Sequence, residues 1–550
     1  MRTKIRLVLL LPMVLLIAGS VAPAGERLYN GIVLPDQWPP WIERLSDEPM
    51  PVPYLESPPE LIPIDVGRQL LVDDFLIEQT TLKRTFHKAE YYKDNPVVKP
   101  DKRWETQGHH TAMAFSDGVF YDPADKLFKM WYMGGYMNTT CLALSDDGMN
   151  WRKPAFDVQP GTNIVCLSGQ RDSSTVWLDL LEKDPARRYK MFQFQRDPWL
   201  GSMHFSADGV HWSEPKWCGP SGDRSTFFYN PFRGVWVFGL RAVKNQGPWN
   251  YKTPPYNPIG RCRRYWESKD FATLCNWEGG RRWDQWKPGQ PGYWVGADRL
   301  DQPRADVKDI KPELYNLDAV AYESLMLGLF SVWRHHPAGR PKINDICLGF
   351  SRDGFHWHRP FREAVIPVSE KPDAWNWANV QSVGGGCLVV GDKLYFYASG
   401  RNSTGDHTGL AFMRRDGFAS MDAAAEPGQL TTRPISFRGK HLFVNADCDG
   451  GRLEAEVLDQ AGNPVAPFTR QNCKPISADA TLLPVAWNGA AGLSALSGKP
   501  VRLRFHLTSG SLYSFWVSPD DSGASHGYVA AGGPGFTGLT DTVGRGSAKR

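Results

Sequence analysis

The sequence predicts an all-β protein, and three observations lead to this fold class. The 550 residues include 22 Trp, 19 Tyr, 27 Phe, 53 Gly and 43 Pro, a composition that favours short strands joined by tight turns over long helices. A seven-residue motif recurs along the chain. Apolar segments of strand length precede each copy, as expected for a repeated antiparallel unit.

The charge balance and the cysteine pattern exclude several functional classes. The 63 basic and 59 acidic residues leave a formal net charge of only +4, which argues against a dedicated nucleic-acid binder. The nine cysteines form no Cys-x-x-Cys pair, so neither a zinc ribbon nor a thioredoxin-like site is expected. His109, His110 and His407 match no ligand spacing, and we therefore predict no metal and no organic cofactor.

The first 24 residues are typical of a secretory signal peptide. A basic start is followed by an apolar run over residues 7–18 and by small residues at 22–24, which predicts cleavage near Gly25. The alternative is a membrane anchor, but the apolar run is short for a bilayer span. The expected location is secreted or periplasmic, with no membrane span after cleavage. Residues 25–94 then form an N-terminal extension.

A Ser-x-Asp-Gly-x-x-Trp heptad organises the middle of the chain. Clear copies occupy residues 145–151, 206–212 and 351–357, and weaker copies begin at 268 and 414. The copies lie about 62 residues apart, except for the interval of 83 residues from 268 to 351. An Asp-Gly step between strand-like flanks is a hairpin-turn signal, because Gly takes positive φ at no steric cost. The heptad therefore predicts a repeated turn.

Each heptad closes a unit of about four strands. Five such meanders cannot bury both faces separately, and radial packing solves this problem. We therefore predict a five-bladed β-propeller over residues 95–425. Residues 70–77 are predicted to add the outer strand that closes the ring, with a separate hairpin as the alternative. The insertion at 245–260 is predicted to be a loop at one end of a blade.

The repeat stops after the propeller segment. Residues 430–518 contain strand-like segments and turns without the heptad, which predicts a C-terminal β-sandwich. Residues 519–550 are rich in Gly, Ser and Ala, which predicts a disordered tail.

Propeller geometry turns the repeat into a predicted site. In a meander, the start of the first strand and the end of the second lie on one face, opposite the heptad turn. Counting back from each heptad gives one polar residue at the start of each inner strand: His110, Asp172, Asp223, Asp318 and Gln381. The ends of second strands give Arg196, Arg241, Arg334 and Arg401, and His407 is a further candidate to point into the central channel.

These residue types point to a particular chemistry. Facing carboxylates push their pKa values apart, which supplies an acid and a base at neutral pH. Guanidinium groups bind carboxylate or sulfate in a bidentate fork, so an anionic substrate is expected. The alternative is that the charges pair with one another around a solvated cavity without a catalytic role.

The chain resembles the five-bladed propellers of glycoside hydrolase families 32 and 43. The resemblance rests on the heptads, on Asn95-Pro96-Val97, and on the stretches 171–177 and 315–320. It extends to uncharacterised secreted bacterial proteins named glycosyl hydrolase family 32-like. It implies that Asp172, Asp223 and Asp318 supply the nucleophile or base, the acid and a residue that orients the sugar. Those families place a Glu on an inner strand, whereas this sequence offers only Glu105, ahead of the histidine pair, as a reserve acid.

The sequence thus predicts a secreted glycoside hydrolase that cleaves poly- or oligosaccharides, anionic ones included, with carboxylates at the propeller centre. The missing Glu keeps a second hypothesis open, a glycan-binding propeller without catalysis. A third is an envelope scaffold protein that docks through its sandwich.

Overall fold

The computed structural model describes residues 25–549 except 168–169, 198, 246–247, 276 and 278–285. The predicted signal peptide, residues 1–24, lies outside the described residues. The chain is nearly all β, which confirms the predicted fold class. Among the described residues, no helix is long and apolar enough to cross a membrane.

The N-terminal extension contains short elements that join sheets formed later in the chain. A helix comes first, followed by five strands: α1 (Pro53–Glu56), β1 (Ile62–Pro63), β2 (Gln69–Leu70), β3 (Ile77–Thr80), β4 (Lys83–Phe86) and β5 (Glu90–Tyr91). Single 3-10 turns occur along the chain at Arg103–Glu105, Pro185–Arg187, Arg470–Asn472, Ser494–Leu496 and Gly544–Lys549.

Five antiparallel sheets follow within the described part of residues 112–414. The first two contain β6 (Ala112–Met113), β7 (Val119–Asp122), β8 (Leu127–Gly134), β9 (Thr139–Ser145) and β10 (Ile164–Leu167), then β11 (Arg171–Leu178), β12 (Tyr189–Gln195), β13 (Leu200–Ser206) and β14 (Lys216–Trp217). The third contains β15 (Thr226–Asn230), β16 (Val235–Val243), β17 (Arg261–Ser268) and β18 (Gly292–Gly296), with α2 (Phe271–Leu274) between the last two. The last two contain β19 (Glu313–Glu323), β20 (Leu325–Trp333) and β21 (Asn344–Ser351), then β22 (Ala378–Gln381), β23 (Leu388–Val390), β24 (Lys393–Asn402) and β25 (Gly405–Arg414).

The heptads form turns beyond the third strand of their sheets. The Asp147 carboxylate accepts hydrogen bonds from the backbone N–H groups of Met149 and Asn150, both at 2.8 Å. Asp208 and Asp353 accept the equivalent pairs. Gly148 has φ +75°, a conformation that favours glycine. The heptad therefore stabilises a turn, and these turns lie at the opposite end of the sheets from the starts of the inner strands.

Each sheet contacts the next in chain order, and the fifth contacts the first. The contacts include one hydrogen bond for each junction: Val176 N–H to the Asp117 carbonyl, Arg224 N–H to Ser173 Oγ, Thr226 Oγ1 to the Leu317 carbonyl, Val383 N–H to Asp318 Oδ2, and Phe115 N–H to Ser399 Oγ. The first strands of the five sheets therefore meet around a common centre.

The remaining strands are β26 (Ala419–Ala423), β27 (Gly428–Thr432), β28 (Ile435–Ser436), β29 (His441–Asp447), β30 (Arg452–Leu458), β31 (Asp479–Pro484), β32 (Arg502–Thr508), β33 (Gly510–Ser518) and β34 (Tyr528–Val529). They form two further sheets, except that β28 pairs with β1 and β34 joins β19 of the fourth sheet. One sheet has the order β31-β29-β33-β26-β4, and the other has the order β3-β27-β32-β30. Phe505 and Phe515, one from each sheet, have ring centroids 5.2 Å apart in a shared hydrophobic core.

The predicted closing strand at residues 70–77 is wrong. β2 pairs with β33 and β3 pairs with β27, so this segment joins the two C-terminal sheets. Its apolar side chains are buried in two cores: Leu70 and Val72 lie in the main hydrophobic core, and the other apolar side chains lie in the C-terminal core. The strand β5 pairs instead with β25, and it supplies the outer strand of the fifth sheet.

The prediction of a disordered tail also fails for residues 519–546. β34 pairs with the end of β19, and Asp541 forms a buried ion pair of 2.9 Å with Arg415. Val529 and Phe536 are buried in the main hydrophobic core. The small residues that signalled disorder allow close packing here, and a few buried side chains hold the segment in place.

Candidate active site

A cavity of about 470 Å³ lies where the inner strands of the five sheets converge. Every sheet contributes to its lining, and Trp249 to Lys252 from the predicted insertion loop lie at its edge; residues 246–247 of that loop lie outside the described residues. We call this space the central cavity, and its lining includes Phe115, Tyr136, Asp172, Arg196, Asp223, Arg224, Arg261, Tyr315, Trp333, His336, Lys342, Asn379, Gln381 and Arg401.

Cations dominate the central cavity. Four arginines and two lysines face two aspartates. Burial lowers the pKa of His336 to about 4, so this side chain is neutral at physiological pH. The cavity is therefore electropositive, which concentrates anions at its mouth.

Asp172 bridges two guanidinium groups. Its Oδ2 lies 2.8 Å from Nε and 2.7 Å from Nη2 of Arg196, and its Oδ1 lies 2.9 Å from Nη2 of Arg224. Asp172 is the second residue of β11, so the sequence placed it correctly at the start of an inner strand. This carboxylate fixes two cations in the cavity wall.

Asp223 is also held by arginines. Its Oδ1 lies 2.6 Å from Nη1 of Arg241, and its Oδ2 lies 3.8 Å from Nη1 of Arg261. Burial alone would raise the pKa of Asp223, but Arg241, Arg261 and Arg224 outweigh it and hold the pKa well below its usual range. Asp223 is thus ionised at neutral pH, which suits a base or nucleophile but not an acid.

Asp318 does not line the described central cavity. It lies in the middle of β19, because that strand begins at Glu313 rather than at the position predicted from the heptad. Its Oδ2 accepts hydrogen bonds from Asn316 Nδ2 at 2.8 Å and Val383 N–H at 2.9 Å. Burial raises the pKa of Asp318 to about 6. Asp318 therefore links the fourth and fifth sheets, and it does not lie in the cavity lining where the sequence predicted a catalytic aspartate.

We expect Asp318→Asn to remove a pH dependence from stability. A carboxyl whose pKa rises on folding stabilises the protein below its ordinary pKa of 3.8, and this stabilisation is lost as pH rises through about 6. The unfolding free energy of the wild type, relative to the variant, should fall by roughly 2 kcal/mol between pH 4 and pH 7. Urea denaturation across this range measures the difference, and parallel curves would contradict it.

Gln381 and Asn379 carry polar side-chain atoms that have no partner among the described residues. Both line the central cavity and are almost completely buried. Within the described residues, neither the Oε1 nor the Nε2 atom of Gln381 forms a hydrogen bond, and Asn379 Nδ2 forms none either. Buried polar groups are normally satisfied, so an unsatisfied amide in a cavity wall indicates a ligand.

The other predicted residues separate into two groups. Arg196, Arg401 and Gln381 line the central cavity, and Arg401 also binds Asp406, with Nη2 to Oδ2 at 2.9 Å. Arg241 supports Asp223 from behind the lining. Arg334 instead binds Asp345 at 3.2 Å and the Gln302 carbonyl at 2.7 Å, away from the cavity.

The predicted reserve acid and the two histidines also lie outside the described cavity lining. Glu105 is buried, where it accepts hydrogen bonds from Tyr132 Oη at 2.6 Å and Lys153 Nζ at 2.8 Å. It serves the 3-10 turn that contains it, so its role is structural. His110 is exposed, and His407 is buried against Asn402 at 3.1 Å.

Sequence reasoning missed Tyr315, Lys342, Arg224 and Arg261. Tyr315 is the third residue of β19, three residues before the aspartate that the repeat spacing selected. Lys342 donates a hydrogen bond to Tyr315 Oη. Arg224 directly follows Asp223, and this adjacency was the one available signal for a second charged residue at that strand start. Among the described residues, no cluster of His, Cys, Asp and Glu has the arrangement of a metal site.

Comparisons with known proteins give weak structural likenesses. No family model and no curated protein matches the chain. Similar solved structures include an N-acetylgalactosamine deacetylase from F. plautii in complex with blood group B trisaccharide (12% identity, 60% of this chain and 96% of that chain, TM-score 0.40). Others are a structure from the GH130 family of mannoside phosphorylases (14%, 62% and 97%, 0.37) and a thermostable family-43 glycoside hydrolase (11%, 58% and 96%, 0.35).

Proposed function

We propose that this protein is an exported glycoside hydrolase that cleaves acidic glycans in the central cavity. The observation that carries the proposal is the cavity wall itself. Arginine and lysine side chains share this wall with Gln381 and Asn379, whose buried amides carry polar atoms without a hydrogen-bond partner among the described residues. A sugar ring offers hydroxyl groups to such amides, and a carboxylate or sulfate on the sugar would meet the guanidinium groups.

We further propose that the five sheets are the blades of a five-bladed propeller and that the two C-terminal sheets form a β-sandwich. The closed series of contacts from the first sheet to the fifth supports the propeller. The core shared by the two C-terminal sheets supports the sandwich. We propose that the propeller spans residues 95–414, with β5 completing the last blade, and that the sandwich spans residues 419–518. The N-terminal extension at residues 25–94 adds β2, β3 and β4 to the sandwich. The signal-like residues 1–24 support export.

The two cavity aspartates take the basic roles in this proposal. Asp223, which its arginine partners hold ionised, or alternatively Asp172 attacks the anomeric carbon or activates a water molecule for that attack. The surrounding arginines bind the acidic group of the sugar, and they fix the position of each carboxylate.

A screen of the full chain against neutral and acidic glycans tests this function, with products followed by NMR at the anomeric carbon. We expect turnover of at least one acidic glycan. Asp172→Asn and Asp223→Asn should reduce turnover roughly 10²- to 10⁴-fold and keep sugar binding. The matched control is Asp146→Asn, because the Asp146 side chain is 80% exposed on a heptad turn.

The second candidate is a glycan-binding protein without catalysis. The pairing of both cavity aspartates with arginines favours it, since paired carboxylates can serve as structural partners of the cations. It predicts binding of acidic glycans with no turnover by the wild type. Cleavage that depends on Asp172 or Asp223 would exclude it.

A further inference from the structure

We propose that Tyr315 is the general acid of the central cavity, the group that protonates the departing glycosidic oxygen. This inference rests on the proposed function and supplies a role that it leaves open. Glycoside hydrolysis needs a proton donor beside the base. Of the carboxyl groups in the described cavity lining, Asp223 is held ionised and Asp172 is bound by two guanidinium groups. A different donor is therefore required.

The hydrogen bonding of Tyr315 leaves its proton available. Lys342 Nζ donates to the phenol oxygen, and an ammonium group can only donate. The hydroxyl proton must therefore point elsewhere. Among the described residues no acceptor takes it, although the Tyr315 side chain is buried in the cavity wall. A substrate oxygen in the central cavity is positioned to accept this proton.

The surroundings of Tyr315 stabilise the phenolate left after proton transfer. Lys342 Nζ lies 4.3 Å from the centre of the ring, and the guanidinium carbons of Arg261 and Arg224 lie 4.9 and 5.8 Å from it. Burial alone would raise the pKa of Tyr315, but these three cations outweigh it and lower the pKa to about 7. An acid with a pKa near the working pH transfers protons most efficiently. The other charged or titratable groups that act on or near Tyr315 are Asp223, Arg401 and Tyr136.

The proposed step conserves atoms and charge. The Tyr315 proton moves to the glycosidic oxygen as the bond from that oxygen to the anomeric carbon breaks. Water, activated by a cavity aspartate, or the aspartate itself forms the new bond to the anomeric carbon. The phenolate then regains a proton from the water that completes hydrolysis.

Ultraviolet difference titration tests the inference without a substrate. The tyrosinate band of the wild type minus Tyr315→Phe should appear with a midpoint near pH 7. Lys342→Met should move this midpoint upward, because the variant loses the cation closest to the phenol. The matched control is Tyr251→Phe, since burial raises the pKa of this second cavity tyrosine. A Tyr315 midpoint near the ordinary value of 10 would overturn the inference.

Leaving-group kinetics test the catalytic role itself. The glycan found by the screen and its 4-nitrophenyl glycoside are compared, because nitrophenolate departs without protonation. Tyr315→Phe should lose 10²- to 10⁴-fold in kcat on the glycan and less than tenfold on the nitrophenyl glycoside. Equal losses on both, or no loss, would reject Tyr315 as the acid. A wild type that cleaves nothing would instead reject the proposed function and this role with it, while the titration still reports the tuned phenol.

Discussion

Arg415→Ala should lower the unfolding free energy by roughly 3–5 kcal/mol, the cost of breaking a buried ion pair. Arg415 Nη2 lies 3.0 Å from Glu323 Oε1 and 2.9 Å from Asp541 Oδ2, and all three side chains are almost fully buried. Removing the guanidinium group leaves two carboxylates in the protein interior without this partner. Arg68 stays 3.5 Å from Glu323, so part of the compensation survives.

Urea denaturation of the full chain measures this loss. The matched control is Arg152→Ala, which removes a surface arginine from its pair with Asp146 and should cost less than about 1 kcal/mol. A chain that ends at residue 518 should also be strongly destabilised, because it loses both Asp541 and β34. A cost below 1 kcal/mol for Arg415→Ala would show that the C-terminal segment is not held by this cluster.

Arg224→Met should weaken the binding of acidic glycans about 100-fold. Arg224 lies in the cavity wall, where it pairs with Asp172 and stacks 4.0 Å above the centre of the Phe115 ring. Truncating a buried charge that contacts a ligand costs about 2–5 kcal/mol, and about 100-fold corresponds to the lower part of this range. Methionine keeps much of the side-chain volume, so packing against Phe115 is partly preserved.

Isothermal titration calorimetry with a uronate oligosaccharide measures the Arg224 effect. The matched control is Arg438→Met. Arg438 is exposed and is not among the residues that line the cavity, so this variant should leave the affinity unchanged. Unfolding curves of both variants exclude a global loss of structure as the cause. Unchanged affinity in Arg224→Met would place the acidic group of the ligand elsewhere.

The repeated turns could be predicted from sequence because their chemistry is local. In each clear heptad the Asp carboxylate and the following N–H groups lie within a few residues, and the observed turns follow the motif. Asp172 and Asp223 lie within three residues of the start of β11 and β15, although they precede their heptads by different spacings, 34 residues (172 to 206) and 45 residues (223 to 268). Both aspartates consequently reach the central cavity.

Asp318 shows where that reasoning stops. Counting back from the heptad assumes that inner strands have equal lengths, but β19 has 11 residues whereas β15 has 5. The additional residues place Tyr315 rather than Asp318 at the cavity. The pairing of Tyr315 with Lys342 joins residues from different strands or loops, and a repeat count cannot anticipate it.

The N-terminal and C-terminal segments were mispredicted because their partners are distant in sequence. β3 pairs with β27, and β34 pairs with the end of β19. Composition describes how a segment behaves alone, whereas these segments are ordered by surfaces that other parts of the chain provide. The small residues of the tail and the apolar run at 70–77 both acquire their structure in this way.

The most direct test of the acidic-glycan cavity compares each uronate oligosaccharide with its methyl ester by calorimetry on the full chain. The ester keeps the sugar rings and removes the charge. We expect at least one acid to bind tenfold or more tightly than its ester, and Arg224→Met to abolish this preference. Equal affinities for acid and ester across galacturonate, glucuronate and mannuronate oligosaccharides, or a preference that survives in Arg224→Met, would contradict the account.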